Sequence, residues 1–204
     1  MMEILYKVHN NLYVNLTNKC PCACTFCLRQ NMDHVGESAS LWLEREPSFE
    51  EVKEAFKAFD MAEYQELVFC GFGEPTEALD VLIKTAQYVK NTWDKKIRLN
   101  TNGLGNLIHG RNIVPELAGL IDIVSISLNT PNAKRYHDIV RSRFGEQSFQ
   151  AMIDFARECT NYIPNVVMST VATTITKEEE KECQAICDSI GATYRIRPWE
   201  SGEE

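Results

Sequence analysis

The chain has 204 residues, 44% of them hydrophobic, enough to bury one sizeable core and too few for several domains. A formal net charge of −8 argues against a surface that tracks nucleic-acid phosphates. The opening M-M-E-I-L-Y-K-V lacks the apolar run of a signal peptide, and no stretch is long enough to span a bilayer, so the expectation is a cytoplasmic protein whose thiols stay reduced.

Taken in chain order, I-L-Y-K-V (4–8) and L-Y-V-N-L (12–16) flank His9-Asn10-Asn11 and predict an N-terminal β-hairpin, because asparagine tolerates the left-handed backbone of a tight turn. The cysteine-rich segment 20–27 follows, then an unusually long connection, 28–47, that suits a lid. Further strands are expected at 66–70, 97–100, 123–129, 166–171 and 193–197, alternating with helices near 48–60, 77–91, 112–120, 147–160 and 176–189. Ser48 with Glu51 and Thr176 with Glu179 fit the capping box, and Gly191 suits the end of the last helix. Strands alternating with helices require crossovers and hence a parallel sheet. The prediction is a single α/β domain over 1–204.

Four of the eight cysteines lie in C-P-C-A-C-T-F-C, Cys20 to Cys27. Without Cys22 the spacing is C-x3-C-x2-C, three ligands where a structural zinc site takes four, and no partner C-x2-C pair follows downstream. A thioredoxin-like dithiol of Cys24 and Cys27 leaves Cys20 without a role. An iron–sulfur cubane accepts one thiolate at each iron, so three cysteines leave one iron open. Cys70 and Cys159 read as core thiols. Cys183 and Cys187, four apart on one helix, favour the core over an auxiliary cluster. His34 and His109 read as solvated loop residues, and Trp42 as a pin for the long loop.

This loop resembles the signature C-x3-C-x-aromatic-C of the radical S-adenosylmethionine (SAM) superfamily. G-F-G-E-P (71–75) is similar to its G-G-E motif, and L-N-T-N-G (99–103) and S-I-S-L-N-T (125–130) fall at strand ends as in many members. Size and G-F-G-E-P are most like the members associated with TatD-type nucleases. The resemblance implies a partial (β/α)6 TIM-like barrel, extended here by the N-terminal hairpin, with V-V-M-S-T-V as fifth strand and R-I-R-P-W (195–199) as sixth. It also implies an enzyme in which Cys20, Cys24 and Cys27 hold a 4Fe–4S cluster. SAM is then bound by Phe26, Gly71, Phe72, Gly73, Glu74, Asn100, Ser127, Asn129, Thr170 and Arg197, with Gly73 leaving room for the methionyl amine. Ser127 and Asn129 share a face at period two of the strand expected over 123–129, so both should point into the concave side toward ribose and carboxylate.

The chemistry so implied is reductive cleavage of SAM and hydrogen abstraction from a small-molecule substrate, with an electron donor such as flavodoxin or ferredoxin as partner. Arg195 and Arg197 lie two apart, so both should face one side of the last strand and suit a carboxylate or phosphate on the substrate. The competing readings are an activase acting on a partner protein's glycine and a metal-binding scaffold without catalysis.

Overall fold

A computed structural model describes residues 2–198 of the chain. One sheet of seven strands organises it: β1 (Leu5–Val8), β2 (Asn11–Val14), β3 (Glu66–Phe69), β4 (Lys96–Thr101), β5 (Ile123–Ser127), β6 (Asn165–Val171) and β7 (Thr193–Arg197). Their order in the sheet is the order in the chain. β1 and β2 are antiparallel and every later pair is parallel. The hairpin expected at the N-terminus therefore covers one edge. Its left-handed turn residue is His9 (φ 52) rather than an asparagine.

A parallel sheet wound in one direction throughout places its right-handed crossovers on one face. The helices that cover that face are α1 (Phe49–Ala55), α2 (Leu79–Trp93), α3 (Gly105–His109), α4 (Val114–Leu117), α5 (Ala133–Val140), α6 (Gln147–Cys159) and α7 (Lys177–Ile190). Both predicted capping boxes form: the Ser48 and Thr176 side chains accept from Glu51 N and Glu179 N, and Gly191 ends α7 at φ 77. α1 is shorter than expected, passing into a 3-10 turn, Phe56–Ala58. The helix expected at 112–120 shrinks to α4, while α3 and α5 were not foreseen.

Alternation along the strands separates two faces. Leu12, Val14, Leu67, Phe69, Ile97, Leu99, Val124, Ile126, Val166 and Met168 point to the helices and form the main core. The register aligns their neighbours on the other side: Tyr13 with Val68, Val68 with Arg98, Asn100 with Ser125, Ser127 with Ser169, Ser169 with Arg195. That concave face is mostly polar. Segment 28–47 covers its hairpin end, where Leu41 packs with Tyr6 and Phe72 in a small apolar cluster. Asn15 Nδ2 donates to Leu41 O at 2.8 Å, and Asn18 exchanges hydrogen bonds with the Leu43 backbone at 2.7 and 3.0 Å, so the segment is sewn down rather than loose.

Candidate cofactor site

Every loop singled out by its motif leaves the same edge of the sheet, because β2 to β6 are parallel and the cysteine loop, G-F-G-E-P, the T-N-G turn and S-L-N-T each follow a C-terminal strand end. Chemistry gathers at this edge in barrels of α/β units.

The cysteine loop is docked by its backbone. Ala23 N donates to Val140 O (3.1 Å) and Thr25 N to Ile139 O (2.9 Å), while Arg143 N donates to Pro21 O (2.8 Å). Carbonyls at the end of α5 would otherwise lack partners inside the helix, so the loop satisfies them as they hold it in place. Arg29 adds a second clamp. Its guanidinium donates to Asn18 O at 3.2 Å, Phe72 O at 3.3 Å and Cys22 O at 3.3 Å, tying three segments together.

Within the loop Cys22 is buried, at 5% exposure, while Cys20, Cys24 and Cys27 are half-buried. Hydrogen bonding from the Cys22 thiol holds the thiols of Cys20 and Cys24 below the ordinary range, and the Arg29 charge acts in the same direction. The Cys22 thiol is itself pushed far up by those two neighbours and by burial. Burial raises Cys27. Cys22 thus belongs to the loop's interior, and the other three form the available donor set. No group of three or more His, Cys, Asp or Glu among the described residues is drawn together for a single metal ion. A cubane takes its thiolates at separate corners, so the donor set fits that group better than zinc.

G-F-G-E-P packs against the start of this loop more tightly than a ligand contact requires. A β-carbon on Gly71 would lie 2.1 Å from Asn15 Oδ1, and one on Gly73 would lie 2.2 Å from Thr17 O. The position a Gly73 side chain would occupy is thus filled by backbone of the loop's entry, so the glycine is required by this packing itself. The side chains of Phe72 and Glu74 both have partners inside the protein. Phe72 is spent on the apolar cluster, its ring meeting Trp42 edge-on at 5.2 Å, and Trp42 does pin the loop. Glu74 is buried and works internally: Oε1 accepts from Thr101 Oγ1 (2.6 Å) and Thr76 Oγ1 (2.8 Å), and Oε2 from Asn102 N (2.8 Å). Burial raises its carboxyl above the usual range, and these hydrogen bonds oppose the rise.

Of the remaining expected SAM contacts, Asn100, Ser127 and Arg197 lie on the concave face by register. Asn129 does not continue the Ser127 face, for the strand ends at Ser127 and Asn129 is left-handed (φ 64). Thr170 is corrected outright. It shares the face of Met168, and its hydroxyl meets Tyr194 Oη at 2.6 Å, with Tyr194 touching Cys183 of α7, so it points to the helices. Phe26, within the cysteine loop, is 40% exposed.

Cys70, expected in the core, follows Phe69 onto the concave side. Burial pushes its thiol up, Asn100 donates to it, and the charges of Arg197 and Arg98 reach it. Arg98 pairs with Glu66 at 2.5 Å. Cys159, Cys183 and Cys187 are fully buried core thiols, pushed up to about 12, 12 and 11 by burial. His109 is not solvated in the way expected, its Nε2 lying 2.7 Å from Thr76 O. His34 is exposed beside Asp33. Arg29, Asn102 and Tyr136 were not singled out by sequence. Tyr136, buried at 1% exposure, has its hydroxyl raised by burial and then by the charges of Cys22 and Cys24.

The family model described as the radical SAM superfamily matches residues 14–190. No curated protein sequence matches the chain. Among solved structures, SuiB of Streptococcus suis bound to the precursor peptide SuiA superposes with a TM-score of 0.69 at 16% identity, over 96% of this chain and 40% of that one. SuiB bound to S-adenosylmethionine gives 0.63 at 17%, over 94% and 39%. A radical SAM methyltransferase from Sphaerobacter thermophilus gives 0.61 at 14%, over 97% and 69%. The chain therefore spans about two-fifths of SuiB, and at these identities the likeness shows the fold, a partial TIM-like barrel. No helix among the described residues is long and apolar enough to cross a membrane.

Proposed function

Since the chain belongs to the radical SAM superfamily, whose enzymes use a 4Fe–4S cluster and SAM, we propose that it cleaves SAM reductively and abstracts hydrogen from a small-molecule substrate. Cys20, Cys24 and Cys27 would hold three irons, and the cluster would supply the electron for cleavage at the iron left open to SAM. The observation that carries this reading is the half-buried three-thiol loop, set at the C-terminal edge of a parallel sheet beside a polar concave face.

The chain's own residues divide the remaining work. Asn100, Ser127 and Arg197 present polar groups along the concave face for ribose and carboxylate. Arg195 and Arg197 support a substrate bearing a carboxylate or phosphate, because their register with Ser169 and Val171 turns both away from α7. Segment 28–47 closes the hairpin end against solvent. An electron donor such as flavodoxin or ferredoxin completes the reaction. The eight free cysteines suit a reducing, cytoplasmic setting. The finer likeness to TatD-associated members rests on chain length and G-F-G-E-P alone. A second reading, an activase acting on a partner protein, draws on Phe26, Leu28 and Trp42, exposed apolar residues close to the cysteine loop in sequence or space.

Anaerobic reconstitution with iron and sulfide, followed by iron counting, electron paramagnetic resonance (EPR) and a search for 5′-deoxyadenosine and methionine, tests the proposal. The expected result is a reducible cluster and SAM cleavage; a chain that takes up iron but never cleaves SAM under strong reductant overturns it. Stimulation of cleavage by small carboxylates or phosphates, lost in Arg195→Ala and Arg197→Ala, supports the anionic substrate, whereas stimulation only by a protein supports the activase.

A further inference from the structure

The T-N-G turn after β4 has no freedom to choose where its asparagine points. Thr101 Oγ1 donates to Glu74 Oε1 at 2.6 Å and accepts from Gly103 N at 3.0 Å, and Asn102 N donates to Glu74 Oε2 at 2.8 Å. Gly103 is left-handed (φ 77), with Met152 only 2.9 Å from where a β-carbon would stand, so the turn is closed by a residue that only glycine can supply. The Asn102 amide is oriented as well. Its Oδ1 accepts from Leu104 N at 2.9 Å. A flipped amide would set two N–H donors against each other, so the assignment of nitrogen and oxygen follows from the turn itself.

What is left is Nδ2, and it is directed at sulfur. It stands 3.9 Å from Cys20 Sγ and 3.6 Å from Cys22 Sγ, within the longer reach of a hydrogen bond to a sulfur acceptor. Hydrogen bonds to the sulfurs of an iron–sulfur centre are among the features that set its reduction potential. A donor to a thiolate ligand withdraws charge from it and favours the more negative, reduced state. Outer partners of this kind also orient the ligand.

We propose that Asn102 is a positioning residue that donates a hydrogen bond to the Cys20 thiolate and raises the reduction potential of the cluster which that thiolate holds. The inference rests on the radical SAM reading above. It gives G-F-G-E-P a role beyond cofactor contact: Glu74 of that motif builds the turn that aims Asn102 at the cysteine loop. Two strand-end motifs thereby act on the cysteine loop through one amide, which reaches Cys20 Sγ at 3.9 Å and the buried Cys22 Sγ beside it at 3.6 Å.

The test compares the wild-type chain with Asn102→Ala, which removes the donor, and Asn102→Asp, which keeps the shape but replaces the N–H group with a negative oxygen. Each is reconstituted anaerobically, its iron counted, and its midpoint potential measured by EPR-monitored redox titration without SAM or substrate. Expected are wild-type iron content in both variants, a shift to more negative potential in Asn102→Ala, and a larger shift in Asn102→Asp. Unchanged potentials with intact clusters overturn the proposal. Loss of the cluster from both variants also overturns it, by making the residue a structural requirement of the loop. Failure of the radical SAM reading looks different, since the wild-type chain would then assemble no cluster, or would hold one and never cleave SAM under strong reductant, whatever potentials the variants show.

Discussion

The glycine Gly73 and the carbonyl of Thr17 leave no room between them: a β-carbon at position 73 would lie 2.2 Å from Thr17 O and 2.7 Å from Lys19 O. Both contacts are backbone, which cannot rotate out of the way as a side chain can. Glu74 N donates to Lys19 O at 2.8 Å in the same place, so the glycine motif and the entry to the cysteine loop form one packed unit.

Gly73→Val should therefore separate that unit. The expected cost is in the range of overpacking, about 1–3 kcal/mol or more, with iron uptake falling together with SAM affinity. Thermal melting and iron content of the reconstituted variant check this. A variant of normal stability and full iron content that binds SAM weakly would return the glycine to a ligand role.

Arg29 offers a cleaner probe, because its contacts are side chain to backbone. Arg29→Lys keeps the charge near the thiols but loses the planar fork that reaches the carbonyls of Asn18, Phe72 and Cys22 at once. Denaturant unfolding of the apo chain should show a loss of roughly 1–3 kcal/mol, the scale of one or two hydrogen bonds to a charged donor. No loss would mean the three contacts contribute nothing to holding the loop.

Thiol chemistry should separate the proposed ligand cysteines from the core. Cys20 and Cys24 are held below the ordinary thiol range, whereas Cys159, Cys183 and Cys187 are pushed up to about 12, 12 and 11. The thiolate is the reactive form. Brief alkylation of the folded apo chain near pH 8, read by mass spectrometry, should label Cys20 and Cys24 first and leave the three core thiols unmodified. Reconstitution should then protect Cys20, Cys24 and Cys27 together. Labelling of Cys183 or Cys187 as fast as Cys20 would overturn the assignment of those two to the core.

How far this was legible in the sequence depended on what each signal encodes. The strands were readable because alternating apolar residues facing helices carry a period of two, and the two capping boxes and Gly191 are local chemistry. α5 escaped because only Tyr136 and Val140 of its eight residues are buried, one pair too few to show a helical period. Its importance lies in the carbonyls it offers the cysteine loop, a contact between segments over a hundred residues apart. Asn100 was identified as a polar residue on a strand, but Asn102 lies past the strand end, where a turn rather than alternation sets direction. Thr170 failed for another reason: V-V-M-S-T-V is apolar on both faces, as strands covered on both sides tend to be, so its period does not say which face is which.

That ambiguity can be resolved by experiment, since the two faces of β5 and β6 should respond oppositely to loss of a hydroxyl. Thr170→Val removes the 2.6 Å partner of Tyr194 Oη and leaves that phenol only the weaker contact with the Cys183 thiol of α7. Unfolding free energy should drop by about 1 kcal/mol while SAM affinity stays unchanged. Ser127, half-buried on the concave face in register with Ser169, lies on the side where SAM is proposed to bind. Ser127→Ala should leave stability nearly intact but raise the SAM dissociation constant several-fold, the equivalent of about 1 kcal/mol at RT near 0.6 kcal/mol. Chemical denaturation and calorimetric titration of SAM into the reconstituted protein read the two effects separately. If Thr170→Val weakens SAM binding as Ser127→Ala does while leaving stability intact, then β6 presents the opposite face to the cofactor from the one its register with β7 requires.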